Sequence, residues 1–488
     1  MSSPSLFRLI LSHETKILRR NRVLVALFAV LLLLLLSTLW AGHRRLQRQQ
    51  RTLAAIGRHE QRTAAELKRR IALTEAHGGT YPGYIWDDPV FPYNAASKLG
   101  ARFATKQPFA LQLLNVGQGD IQPYYYLTTT QATQKLTHGS EIENSFLQFI
   151  GHFDFSFVVI YLLPLLIVVF TYNVLSAEKE QGTWVLLKTS NQSVARLVAL
   201  RTGIRYLLFS GLFWAVVAPA LLAAIGPGFL ATANWWWLVA AVSLYFAFWF
   251  ALALFVNGFG RSSTLNALAL IFAWLLIVML VPNLLQIGLS QAYPIPSRIS
   301  LVNEERDVVN KFYKKQGTLL TKRLLDNPLE MIRTVQVVTP ELVYGYGVVA
   351  YTRQEITDRA AEVTKARLEA QLSRQQAGIQ RLMYLSPALL LQEQLSALTG
   401  THFHQFREFT YDVEAYKKQL QAFFIPKILD KATYHTFSAA DADRIPRYQP
   451  RQYAGYRWLN LPLGVLVVGL AVAALLGAGY RLLRYSTR

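Results

Sequence analysis

The sequence predicts a mainly α membrane protein: six transmembrane helices carrying two large, mostly helical extracytoplasmic insertions, with some short strands in the first. Three observations predict it. Only 16% of the 488 residues are charged while 52% are hydrophobic, where a soluble domain averages about 25% charged. Six stretches reach the roughly 20 apolar residues that a helix needs to cross a hydrocarbon layer about 30 Å thick. The short polar segments between them alternate in charge, basic on one side and uncharged on the other.

Residues 1–22 form an amphipathic helix, SLFRLILSHETKILRRNR, ahead of the first span at 23–41. No small-x-small cleavage site follows that span before Arg44 and Arg45, so it is an uncleaved span and not a secretory signal. The second span lies in 151–175, spans three to five in 204–289 (Ile204 to Ile225, Trp235 to Val256, Leu265 to Leu289) and the sixth in 458–480, before a tail at 481–488. Trp40, Trp235, Trp236, Trp237 and Trp458 stand at span ends, where indoles favour the headgroup level.

The 1–22 segment, the 176–203 loop (Lys179, Lys188, Arg196, Arg201), the turn at Arg261 and the tail (Arg481, Arg484, Arg488) are basic, whereas 226–234 has no Lys or Arg. Both termini and the 176–203 loop therefore face the cytoplasm. Arg44, Arg45, Arg48 and Arg51, just outside the first span, run against that rule. Alternation places insertions 42–150 and 290–457 outside. Leu46, Leu53, Ile56, Leu67 and Ile71 recur at helical or heptad spacing, which extends the first span outward as a stalk. PFALQLL (108–114) and DIQPYYYLTT (120–129) read as short strands. In the second insertion the clearest helix is Gln354 to Tyr384, with Leu368, Leu372, Ile379 and Leu382 on one stripe that packs a core or a partner helix.

The absent chemistry is equally informative. The chain has no cysteine, which removes disulfides, thiolate metal sites and thiol nucleophiles. It has no GxxxxGK[ST] loop to cradle a triphosphate, no HExxH and no GxSxG, so catalytic, cofactor-binding and metal-ligating residues are assigned as none. His402 and His404 lack a third ligand and read as surface residues. Asp154 and His152 lie where the second span leaves the outer interface and read as wetted. Pro164 and Pro282 fall inside spans, where a missing N–H kinks a helix. The net charge of +21 is distributed as orientation requires inside, with the remainder outside, and gives no case for nucleic acid.

One stretch resists a purely structural account. LSAEKEQGTWVLLKTSNQS, residues 175–193, sets Glu178 and Glu180 near the start of a short helix, where carboxylates complement the positive dipole end. Gly182 and Thr183 offer a small, close-approach surface, and Trp184, Val185, Leu186 and Leu187 an apolar face. It is built either to be gripped by another protein or to lie along the membrane as an ordinary linker.

EKEQGTWVLLKTS, Glu178 to Ser190, resembles the cytoplasmic loop between spans two and three of type-2 ABC transporter permeases. The amphipathic N-terminal segment, six spans and the short outer loop between spans three and four agree with it. FDFSFVVIYLLPLLIVVFTYNVLSAEKEQGT (153–183) with LSPALLLQEQLSALTGTHFHQFREF (385–409) is similar to a bacterial subfamily with two large extracytoplasmic insertions and no settled function. The resemblance implies a multi-pass permease in the bacterial inner membrane that couples ATP hydrolysis on a separate ABC ATPase subunit to transport or mechanical work. It further implies a second permease, identical or paralogous, and ATP and magnesium held by the partner and not by this chain. Glu178, Glu180, Gly182, Thr183 and Trp184 become the ATPase-coupling residues, with Pro164 and Pro282 as helix kinks. The alternative is a membrane-anchored protein whose outer domains bind a partner.

Overall fold

The structure is a computed structural model that describes residues 6–117, 122–130, 133–134, 153–184, 193–294, 340–451, 453 and 460–486, with isolated positions between 303 and 311. Among these residues, six helices are long and apolar enough to cross a membrane: Arg22–Ala76, Phe155–Glu180, Val194–Ile225, Ala233–Gly258, Ser263–Ala292 and Pro462–Arg484. Spans two and four form the centre of the bundle and spans one, five and six its periphery. Spans three and four lock through aromatic edges, with Phe246 meeting Phe209 at 5.2 Å and Phe213 at 5.0 Å, both nearly perpendicular, the arrangement ring quadrupoles prefer. Of the tryptophans that open span four, Trp236 is exposed while Trp235 is buried against Trp214 and Phe229. Trp458 lies outside the described residues.

The N-terminal helix Leu6–Arg20 stops at Asn21, whose extended backbone starts the next helix and whose carboxamide accepts from the Leu24 N–H, an ordinary N-cap. That next helix is unbroken for 55 residues. At 1.5 Å per residue it is about 80 Å long, so some 50 Å of it stands clear of the hydrocarbon as the stalk. Leu46, Ile56, Leu67 and Ile71 are buried.

The two insertions share one core. Leu67 and Ile71 of the stalk pack with Tyr126 and with Phe409, Val413, Leu420 and Phe424 of the helix Phe403–Leu429. A three-stranded antiparallel sheet lies alongside: β1 (Arg102–Thr105), β2 (Tyr125–Thr128) and β3 (Thr133–Gln134), with Arg102 opposite Thr128 and Thr105 opposite Tyr125. PFALQLL is not a strand. Ala110–Leu114 coils into a 3-10 turn that buries Leu111, Leu113 and Leu114. Leu111 and Leu113 alternate with Ala110 and Gln112 until Leu114 breaks the alternation, and a short apolar run does not by itself separate strand from helix.

A second departure concerns 290–457. The predicted helix is part of Pro340–Leu382, and the following helix Pro387–Thr399 returns into the membrane bundle. There Leu390, Leu391 and Leu395 join the core formed by Val242, Tyr245 and Trp249 of span four and Val468 of span six. With 13 residues, it is too short to register as a span, and only packing reveals where it sits.

Pro164 and Pro282 do not interrupt regular helix. Each is the second residue after a π-helical turn, Val158–Leu162 and Leu275–Leu280. Proline has no N–H to offer a carbonyl one turn back, and hydrocarbon supplies no water in its place. Side chains from elsewhere serve instead: Tyr245 Oη donates to Ile160 O at 2.9 Å, Trp274 Nε1 to Tyr161 O at 3.1 Å and Ser386 Oγ to Ile277 O at 2.8 Å. Tyr245→Phe removes one donor without changing shape, so it is expected to cost about 1–2 kcal/mol, read as a lower midpoint for unfolding of the purified protein in mixed micelles. An unchanged midpoint would mean that the Ile160 carbonyl finds another donor.

Candidate functional site

The 176–203 loop is where sequence placed the site, and its described part, up to Trp184 and again from Ser193, is fastened to five helices. The regular helix of span two ends at Thr171, a turn at 172–175 leads into the short helix Ser176–Glu180, and Gln181–Thr183 turn again. Glu178 accepts from Arg201 Nη1 of span three at 2.5 Å and from the Thr183 hydroxyl. Arg201 also faces Glu14 of the N-terminal helix, with Nε 3.6 Å from Oε1, beyond hydrogen-bond range and so attracted by charge alone. One turn further along span three, Arg205 Nε donates to Glu14 Oε2 at 2.7 Å and its Nη1 to Phe170 O of span two at 2.6 Å. The Glu14 side chain is fully buried and those of Arg201 and Arg205 are 13% and 11% exposed. Two carboxylates and two guanidiniums thus form a neutral set, the condition on which buried charge is tolerated.

The other side of the loop grips span five. Glu180 accepts from both the backbone N–H and the hydroxyl of Ser263 at 2.8 Å, Ser176 Oγ lies 2.7 Å from Ser263 Oγ, and Lys179 Nζ donates to Gly260 O. Lys179 also lies 4.9 Å above the Trp184 ring, within cation–π reach. Behind the loop, the buried Asn257 of span four donates to Thr171 O at 3.0 Å, and Asn266 of span five to Tyr172 O at 3.3 Å. Spans two, four and five are therefore tied together at the same level.

These contacts revise the roles read from sequence. Glu178 lies in the first turn of its short helix, as the sequence places it, and does more than serve that dipole. It is a half-buried bridge to Arg201, whereas Glu180 caps the first turn of the span-five helix, where a carboxylate is favoured. Glu180, Gln181 and Gly182 are the exposed part of the turn. Gly182 has φ of +74° with open space where a Cβ would stand, so the turn itself calls for glycine. Thr183 serves Glu178. Val185, Leu186 and Leu187 lie outside the described residues. Sequence reasoning missed Glu14 and Arg205 altogether and took Arg201 only as an orientation marker. A signal existed: Glu14 falls one turn after Ile10 on the apolar face of the N-terminal helix, and Arg201 and Arg205 sit one turn apart as a span begins, where ionisable groups are functional candidates.

Residues 8–335 match the family model described as ABC-2 family transporter protein. The chain belongs to that family. Residues 298–451 match a second model, described as a domain of unknown function, DUF3526. No curated protein and no solved structure matches the chain. ABC-2 permeases are membrane components that work with ABC ATPase subunits.

The remaining candidates of this ABC-2 permease resolve as structural. Asp154 is buried, not wetted: its carboxylate accepts from the Phe157 N–H, capping span two, and from the Val116 N–H at 2.8 Å each. His152 lies outside the described residues. His402 is also buried. It caps the helix Phe403–Leu429, and its Nε2 is 2.8 Å from Glu393. His404 Nε2 lies 2.9 Å from Gln380. Burial first, then the neighbouring His402 and Arg407, push His404 down to about 4. Among the described residues no three His, Asp or Glu side chains converge as a metal site would require.

Proposed function

We propose that this ABC-2 permease takes the push of a separate cytoplasmic ATPase on the 176–203 loop and passes it, as one rigid block, to spans two, three and five and to the N-terminal helix. The observation that carries the reading is the Glu178–Arg201–Glu14 bridge. A loop joined only by its ends would flex under load, whereas one ion-paired to two further helices moves them with it, as rigid-body switching demands. The exposed edge at Glu180, Gln181 and Gly182 is the part left for the partner to touch. ATP and magnesium stay on that partner. The working assembly in the bacterial inner membrane pairs two permeases, identical or paralogous, with two ATPase subunits, termini inside and both insertions outside.

Orientation is the first test. The chain has no native cysteine, so single cysteines report without background. In cells with a permeabilised outer envelope, Lys431→Cys in the outer body should react with a membrane-impermeant thiol reagent, and Arg261→Cys, beside the loop, should react only after lysis. Both positions are exposed. The reverse pattern would put the loop on the wrong side for any ATPase.

A further inference from the structure

The arginines that break the charge rule supply the inference. Arg44, Arg48 and Arg51 are exposed and, at spacings of four and three, stand one above another on a single face of the helix, opposite the buried Leu39, Leu46 and Gln49. Arg58 and Arg62 continue the same face and are also exposed. Among the described residues none of these five forms an ion pair, while higher on the stalk Lys68 meets Asp443 at 2.6 Å, and Arg69 and Arg70 share Glu66.

We propose that the foot of the stalk, through Arg44, Arg48 and Arg51, binds the phosphates of anionic lipid headgroups where the first span leaves the bilayer. Trp40, 60% exposed, marks the interface. At 1.5 Å per residue the three arginines rise about 6, 12 and 17 Å above it, while the headgroup layer is about 5–8 Å thick. Side chains on a helix lean toward its N-terminus, which here is the membrane end, so each guanidinium is carried back by about one turn, roughly 6 Å. Arg44 already shows this, its guanidinium carbon lying 4.4 Å over the Trp40 ring. Arg44 and Arg48 thus enter the headgroup layer, and Arg51 stays about 11 Å up, about a Debye length from the interface, where it adds longer-range attraction. Arginine pairs with phosphate through two parallel hydrogen bonds, so anionic lipid would neutralise a cluster that the orientation rule otherwise penalises. Arg58 and Arg62, about 27 and 33 Å up, are beyond reach and act as an internal control. The proposal holds whichever side of the membrane the stalk occupies.

The test is lipid binding by the full-length purified protein, titrated with phosphatidylglycerol or phosphatidylcholine and followed by native mass spectrometry. Phosphatidylglycerol should bind more tightly. Each arginine near the surface contributes about fivefold, so R44Q/R48Q/R51Q should weaken phosphatidylglycerol by at least about 25-fold and R58Q/R62Q should leave it unchanged. Equal binding of the two lipids, wild-type affinity in the triple variant, or an equal loss in R58Q/R62Q would each overturn the proposal. So would displacement by soluble glycerol phosphate at concentrations equal to the lipid's, since the site would then take a free phosphate and not a membrane surface.

Discussion

Arg201→Glu is expected to uncouple this permease from its ATPase. Arg201 stands between Glu178 and Glu14, so the substitution places three carboxylates against Arg205 alone and turns a neutral set into one of charge −2. Breaking a buried ion pair by removing one partner costs about 3–5 kcal/mol, a large share of the roughly 5–15 kcal/mol that holds a domain together. In liposomes reconstituted with the cognate ATPase, hydrolysis should fall to the rate of the ATPase alone. Glu178→Arg combined with Arg201→Glu restores neutrality and should recover part of both stability and coupling. This rescue separates the bridge from general damage, because a fold merely weakened by one substitution is not repaired by a second. Wild-type coupling in the single variant, or no recovery in the double, would remove the rigid-block reading.

The second large effect lies at Gly182. Gly182 and Gly226 share a φ of +74°, and neither has an atom within 4 Å of the place a Cβ would occupy. They lie in the two loops that flank span three, at its opposite ends. Both Trp variants place a side chain at positive φ, and Gly226, with ψ of 180°, lies in a region that essentially only glycine adopts, so Gly226→Trp is the more severe backbone control and a loss confined to Gly182→Trp reports what approaches from outside the chain. Gly182→Trp should weaken copurification of the ATPase by about 2 kcal/mol or more, the scale of an interface hot spot, while Gly226→Trp leaves it intact. Gly182→Asn, which tolerates the left-handed conformation, separates the demands of the turn from those of contact: contact predicts a loss intermediate between wild type and Trp. Equal copurification of the two Trp variants would make this turn a linker and favour the membrane-anchored interaction protein.

Much of the fold was legible before any coordinates. Hydropathy located all six spans, and the spacing of Leu46, Ile56, Leu67 and Ile71 gave the stalk. The strands were half legible: Tyr125–Thr128 was marked, while Ala110–Leu114 turned out to be a tight turn and Arg102–Thr105 went unnoticed. A four-residue strand has too few positions to establish a period. The helix Pro387–Thr399 was invisible as a membrane element because its length matches an ordinary soluble helix.

At the candidate site the wiring of the loop was not legible in the sequence. Glu178 and Glu180 are near neighbours with the same side chain, yet one is held by Arg201 and the other caps span five through Ser263. What the sequence determined by itself was whatever a single window of about 20 residues decides: which segments partition into hydrocarbon, which ends carry charge and which face of a helix is apolar. What only the tertiary structure decided was which charges meet. Arg205 and Glu14 lie 191 positions apart, and no local window contains both. Their pairing depends on how the N-terminal helix, span two and span three pack, and burial then fixes it, because a carboxylate withdrawn from water persists as a charge only where packing delivers a guanidinium to it.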